Sequence, residues 1–466
     1  TISRPRSIRV LGGPDGVIRV NGAEEISSKQ KQASIGEFFE KNKHFLGFDT
    51  QQRAIITAVK EAVDNSLDAC EEARILPDIR VELRRTKSDE IEMISQDNGP
   101  GIPRDSIEGV FGKFLLGSRF HAIRQTRGQQ GIGITGVVMY SQLTTGSKTH
   151  VISKIKSDSS AVHVDLGIDT KKNRAIKTRE KRDIWIDDKT GEEVFHGLKI
   201  TTVMKAKYQR GKKSVYQYLR MTSIVNPHAS ISLVVYDKEG QIIEEGSWAR
   251  TSNKLPRVVE EIKPHPHGIQ LGTLQRMLRE STDRRMTSFL KHNFSGVSPR
   301  AAKEILGMAE VEEGRTPKRI KPEEAKEMIV AFQTVKLLKP PMDCLSPIED
   351  LLIKKGLSKA IDSRFASTVT RSPTVSQGNP FQIEVGLVFG GDLASEGPVE
   401  ILRFANRVPL MYQQGGCLLT KALEAVNWKK YGLDQPGGSG IPKGPAAVLV
   451  HLASTNVQFT SEAKEA

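Results

Sequence analysis

The stretch from Ala54 to Ala73 has no glycine or proline and repeats its apolar residues at helical spacing, whereas Asp97-Asn98-Gly99-Pro100-Gly101-Ile102-Pro103 cannot be helical at all. A chain with this contrast must set a long amphipathic helix beside a turn that ends a strand, since Ile91 to Ile94 reads as a short strand. On the helix, within Glu61-Ala62-Val63-Asp64-Asn65-Ser66-Leu67-Asp68-Ala69, Glu61 and Asn65 stand one turn apart on one face. A carboxylate beside an amide oxygen suits a hard cation: the Asn oxygen can ligate Mg²⁺ while the Glu orients and deprotonates a water. Taken alone, the same stretch reads first as a surface helix with ordinary polar residues.

The turn offers a carboxylate, Asp97, at a strand end, where it can accept the exocyclic amine of adenine, and Gly101, without a side chain, lets the backbone come close to a base. A plain Asn-Gly turn is the bland alternative. A third segment, Gly128-Gln129-Gln130-Gly131-Ile132-Gly133-Ile134-Thr135-Gly136, contains Gly131-x-Gly133-x-x-Gly136, the letters of the dinucleotide fingerprint. That fingerprint follows a buried strand, but Arg119 to Gln130 is polar and basic. Glycine backbone whose N–H groups face phosphates is the better use. No Gly-x-x-x-x-Gly-Lys-Ser/Thr occurs, which excludes a P-loop.

In this order and spacing the three segments resemble the GHKL superfamily of ATPases, which includes gyrase, heat-shock chaperones, histidine kinases and mismatch-repair proteins. Three further segments narrow the resemblance: Phe38-Phe39-Glu40-Lys41-Asn42-Lys43, Phe114-Leu115-Leu116-Gly117-Ser118-Arg119-Phe120-His121 and Arg127-Gly128-Gln129-Gln130-Gly131-Ile132-Gly133. They look like the B-subunit family of archaeal-type type IIB topoisomerases (topoisomerase VI), from about Ser34 onward. The resemblance implies an α+β chain: a GHKL (Bergerat) ATPase α/β sandwich, then a small helix-two-turns-helix domain, then an α/β transducer. It implies ATP and Mg²⁺ as ligands, with Glu61 activating water and Asn65 on the metal. ATP contacts are implied at Asn65, Asp97, Gly99, Gly101, Ser118, Gly128, Gln129, Gln130, Gly131, Ile132, Gly133, Ile134 and Thr202. Thr202 enters through Gly197-Leu198-Lys199-Ile200-Thr201-Thr202, which resembles the family's late strand and reads equally as a solvent-facing one.

The chain's 466 residues suit roughly three domains. Residues 1–31 form an extension, which in GHKL proteins often crosses to the neighbouring copy as a strap. Residues 32–250 carry the ATPase pattern, with strands at Ala161 to Ile168 and Ser230 to Tyr236 under one helical layer. Residues 251–335 are strand-poor, with helices expected near Leu271 to Glu280, Thr282 to His292 and Pro299 to Met308. His265-Pro266-His267 there reads as a rigid turn, not a metal site. In residues 336–466 strands return at Phe381 to Phe389, Glu400 to Phe404 and Ala446 to Leu452, with a helix at Leu418 to Val426. Within Asn427-Trp428-Lys429-Lys430-Tyr431-Gly432-Leu433 the resemblance implies a lysine that reaches the γ-phosphate, Lys429, with Lys430 as its rival; by default such a segment is a surface loop.

A net charge of +14, from 69 basic against 55 acidic residues, favours a polyanion, and DNA first. Lys205, Lys207, Arg210, Lys212 and Lys213, in a run without acids and interleaved with Tyr208, Tyr216 and Tyr218, suit a sequence-independent phosphate surface or an ordinary solvated face. The basic run Lys171 to Arg182 reads as a hairpin or loop. Three scattered cysteines, Cys70, Cys344 and Cys417, argue against disulfides and zinc and for a reducing compartment. No run of 18 apolar residues suggests a membrane span. With no Asp-x-Asp in the chain, the resemblance implies DNA cleavage by the separate A subunit of topoisomerase VI in an A₂B₂ assembly, an ATP-dependent homodimer of this chain, and duplex DNA between the copies. The location is then cytoplasmic and nucleoid-associated for an archaeal source, nuclear for a eukaryotic one. Members of this family continue into a long helix, so a C-terminally truncated piece is expected. Two other readings remain: a chaperone-like or mismatch-repair-like GHKL clamp, and a nicotinamide enzyme built on Gly131 to Gly136.

Overall fold

The computed structural model describes residues 34–114, 123–128, 131–457 and 459. The 1–31 extension lies outside them. The first unit begins with α1 (Ile35–Lys41), capped by Ser34 and Glu37 in a reciprocal box, and α2 (Gln51–Glu72), capped by Thr50. Strands β1 (Asp78–Lys87) and β2 (Glu90–Asp97) follow, then α3 (Arg104–Gly112), α4 (Gly133–Thr145), β3 (Thr149–Lys154), β4 (Ala161–Asp169), β5 (Arg174–Asp183) and β6 (Gly197–Lys205). Helix α5 (Val215–Val225) and strands β7 (Ser230–Tyr236) and β8 (Ile242–Trp248) complete it.

The eight strands form one sheet in the order β5-β4-β3-β6-β2-β1-β7-β8, antiparallel except where β1 runs parallel to β7. Strand β2 alternates strictly between buried and half-buried residues, as a strand with one covered face requires. The covering layer is α2, α4 and α5, whose apolar residues share one core with Ile79, Val81, Leu83 and Met93 of the central strands. The basic run is the turn and second arm of a hairpin with β4, as expected, and its strand β5 lies at the sheet edge with charges of the kind that keep an edge from pairing with another chain. One expectation changes here. The strand carrying Thr202 is central in the sheet, between β3 and β2, and does not face solvent.

Four helices make the middle unit: α6 (Leu271–Glu280), α7 (Met286–Asn293), α8 (Pro299–Met308) and α9 (Pro322–Thr334). They bury Leu274, Phe289, Ile305 and Phe332 together. Helix α9, not expected from the sequence, starts with Pro322 at its first position and two acids in its first turn. His265 Nε2 donates to Leu338 O, 3.0 Å away, within a tight turn.

The last unit holds α10 (Asp350–Ala360), β9 (Phe365–Thr370), β10 (Thr374–Ser376), β11 (Asn379–Phe389), β12 (Glu400–Ala405), β13 (Val408–Pro409), α11 (Leu418–Glu424) and β14 (Ala446–Ser454). Its sheet runs β10-β11-β14-β12-β13, with β9 also on β11 and with β12 parallel to β14. Both faces of β14 are covered. Ala447 and Leu449 join Ile353 and Leu357 of α10 and Met221, Ile224 and Val225 of α5, so one core spans the first and last units. Val448 and Val450 face the opposite way, toward Leu419, Leu423 and Trp428. At the α5–α10 crossing Gly356 passes so close that a Cβ there would lie 2.0 Å from Ile224 O. Among the described residues no helix is long and apolar enough to cross a membrane.

Candidate nucleotide site

Helix α2 is buried along nearly all its middle, yet Asn65 is exposed, because a cavity of about 1550 Å³ opens over it. Glu61, Asn65, Asp97, Gly101, Gly128, Gly131, Ile132, Gly133 and Ile134 line that cavity. The structure thus gathers the helix, the turn and the glycine segment around one space. Gly99 stands just behind, its N–H donating to Asp97 Oδ1 at 2.9 Å.

Gly133 opens α4, and a Cβ on it would lie 1.8 Å from Glu61 Oε2. Glycine is therefore the one residue that lets the Glu61 carboxylate reach the helix N-terminus, where unpaired N–H groups attract negative charge. The glycine segment opens a helix as a dinucleotide fingerprint would, but no strand leads into it among the described residues; α3 precedes it. At Gly101, with φ +72°, a Cβ would meet Lys154 O at 2.2 Å, so glycine is required there too.

Asp97 is 6% exposed. Ser66 Oγ donates to its Oδ2 at 2.6 Å. Burial pushes its carboxyl upward, outweighing the hydrogen bonds from Ser66, Gly99 N–H and Leu198 N–H. No cation is paired with it among the described residues, which leaves a carboxylate able to accept from a ligand amine.

Three residues that sequence reasoning left without a role belong to this site. Ser66, next to Asn65, orients Asp97. Asn42, which follows the Phe38-Phe39 pair, lines the cavity with its amide bonded to Phe38 O at 2.7 Å. Arg127, just before Gly128, is 4% exposed and grips Asp68 at 2.6 Å and Glu71 at 2.6 Å. Spacing on α2 puts Asp68 one turn beyond Asn65 on the same face, but no local pattern marks Arg127 as its partner.

Other expected residues lie elsewhere. Ser118, Gln129 and Gln130 fall outside the described residues. Thr202 pairs with Met93 in the β2–β6 ladder, whereas Leu198 sits opposite Asp97. Thr202 is therefore about 13 Å farther along the strand, and its hydroxyl is buried 3.3 Å from Thr149 Oγ1. Lys429 and Lys430 are exposed in a short 3₁₀ turn beside Trp428, whose indole packs on the sheet face away from α5. The last-unit residues that line the cavity are Val457 and Phe459, just after β14. Of the basic run, Lys205 pairs with Asp89 at 3.2 Å, Arg210 donates to Ile243 O, and Lys213 lies 5.3 Å over the Tyr412 ring. Lys207 and Lys212 are exposed. All five stand at a strand end and in the following loop, ahead of α5.

This architecture and site define an ATPase of the GHKL class: residues 50–170 match the family described as histidine kinase-, DNA gyrase B- and HSP90-like ATPase. Residues 340–466 match the topoisomerase VI B subunit transducer. The chain is 49% identical over 445 residues to the B subunit of type 2 DNA topoisomerase 6 from Methanococcoides burtonii, covering 95% of this chain and 70% of that protein. It is 48% identical over 441 residues to the protein of the same name from Archaeoglobus fulgidus, covering 94% and 71%. The chain belongs to the topoisomerase VI B subunit family, whose members are topoisomerase subunits with an ATPase domain.

Proposed function

We propose that the chain binds ATP with Mg²⁺ in the α2–α4 cavity and hydrolyses it to drive a DNA gate. The observation that carries this is the convergence of Glu61, Asn65 and Asp97 on one cavity roofed by the N-terminus of α4. Glu61 takes a proton from water as the water oxygen bonds to the γ-phosphorus and the bond to the ADP oxygen breaks. Asp97 accepts from the adenine amine, and the backbone of Gly128, Gly131, Ile132 and Gly133 faces the phosphates. Asn65 would ligate Mg²⁺, which when bound neutralises phosphate charge. Among the described residues no group of three His, Cys, Asp or Glu could hold a metal, so the nucleotide's own phosphates must supply most of the ligands.

The relatives' name, as the B subunit of a type 2 DNA topoisomerase, extends the reading. Two ATP-bound copies close around a duplex, the A subunit cuts DNA within an A₂B₂ assembly, and hydrolysis resets the gate. The +14 charge suits that polyanion. Lys207 and Lys212, exposed and free to reach phosphate, are the better DNA candidates of the basic run. The residues after β14, not Lys429, are the nearer link between the last unit and the nucleotide. The test is the solution mass of the chain with Mg²⁺ and a non-hydrolysable ATP analogue, against ADP and no nucleotide. Dimer with the analogue alone is expected; monomer throughout, with nucleotide bound, would remove the clamp for the isolated chain.

A further inference from the structure

The hairpin β12–β13 turns through two residues, Asn406 at φ 48° and Arg407 at φ 65°. Such a mirror-image turn favours glycine or asparagine, and arginine adopts it against its own sterics. Strain of this kind persists where surroundings over-determine it, often at switches. Here the tip is also buried, Asn406 at 2% and Arg407 at 4% exposed, where the ATPase unit meets the last unit.

Its bonds run both ways. Asn406 Nδ2 donates to Thr126 O at 3.1 Å, two residues before Gly128, and to Ser454 O at 2.9 Å, at the end of β14. Arg407 donates to Val225 O at 3.4 Å, where α5 ends, and to Pro347 O at 2.9 Å. Among the described residues no carboxylate pairs with its guanidinium, and burial brings it down to about 10. Between these contacts Arg127 binds Asp68 and Glu71 of α2 and, at 2.6 Å, Asn226 Oδ1 just past α5. A cavity of about 240 Å³, lined by Arg127, Asn406 and Arg407, leaves the tip room to shift.

We infer that the Asn406–Arg407 turn is a positioning element that holds the start of the glycine segment in register with the transducer sheet, so that occupation by a third phosphate is felt at β14. This rests on the ATP reading of the cavity. Asn406→Gly keeps the backbone conformation and removes the bonds to Thr126 and Ser454. Affinity for the non-hydrolysable ATP analogue should fall about fivefold or more, the scale of the one bond lost on the nucleotide side, to Thr126 O, while ADP affinity changes less than about twofold. Equal change for both nucleotides, or none, would overturn the inference and leave the turn a structural contact. Should the variant fail to fold, amide exchange in the unaltered chain decides: Arg407 and Ser454 N–H should exchange more slowly with the analogue than with ADP, and identical exchange refutes the coupling. Failure of the unaltered chain to bind either nucleotide would instead sink the ATP reading itself.

Discussion

Two carboxylates, Asp97 beside α2 and Glu71 on it, are removed from water and shifted in opposite directions. Burial raises Asp97, which has only Ser66 and backbone N–H donors. Burial would raise Glu71 as well, but the Arg127 charge and hydrogen bonds from His228 and Arg127 outweigh it and hold the group well below the usual carboxylate range. Glu71 is thus spoken for, its oxygens bonded to Arg127 at 2.6 Å and His228 at 2.8 Å. Asp97 faces the cavity without a cation. An unpaired buried acid is costly, so this contrast separates the side of α2 that faces the cavity from the side that Arg127 clasps.

The largest effect should come from Glu61, the acid proposed to activate water. Glu61→Gln is expected to cut ATP hydrolysis by about 10²–10⁴, the usual worth of a positioned general base, while analogue binding survives. Glu71→Gln should leave turnover per folded molecule within a few fold. Comparable losses of turnover in the two variants would erase the division between the two sides.

Stability should divide the other way. Arg127→Met removes the guanidinium that Asp68 and Glu71 share in the interior and should cost about 3–5 kcal/mol in denaturant titrations. Ser66→Ala, which removes one donor from Asp97, should cost about 1 kcal/mol. If the two variants proved equally stable, Arg127 would not be the clasp its geometry indicates.

What the sequence made legible follows the same line. Glu61, Asn65 and Asp97 were readable because spacing on one helix and a turn at a strand end are local facts, and the cavity joins all three. The expectation of one helical layer over a mixed sheet also held, since periodicity reports which face of each element is covered. Thr202 missed the cavity because a strand segment's distance along the ladder depends on register, which no local pattern supplies. Lys429 missed it because β14 buries both faces, and only packing against α5 decides which face meets the ATPase unit. Arg127 was passed over as one base in a polar run; its partners on α2 and its neighbour Asn226 come together only through tertiary contacts. Helix α9 gave a weaker signal than its neighbours because its exposed face carries Val330.

The smallest effect is the most discriminating, because it turns on sign. A folded-state pKa above the unfolded value of about 3.9 means that folded Asp97 holds its proton more readily. Its ionisation then lowers stability as pH rises from about 4 through the raised pKa, and Asp97→Asn, which cannot ionise, should gain on the unaltered chain across that window. Glu71 has its folded pKa below the unfolded value of about 4.3, so its contribution is fully present above that pH and is lost as pH falls toward the depressed value. Relative to Glu71→Gln the unaltered chain should therefore gain stability with rising pH. Denaturation midpoints of the three proteins between pH 3 and 7 give two difference curves, expected to slope in opposite directions. Parallel slopes would mean that Asp97 has a cationic partner after all, and the preference for ATP over GTP in Asp97→Asn would then be unchanged; a true ligand acid requires that preference to weaken, because the amide can no longer offer two acceptor oxygens to the adenine amine.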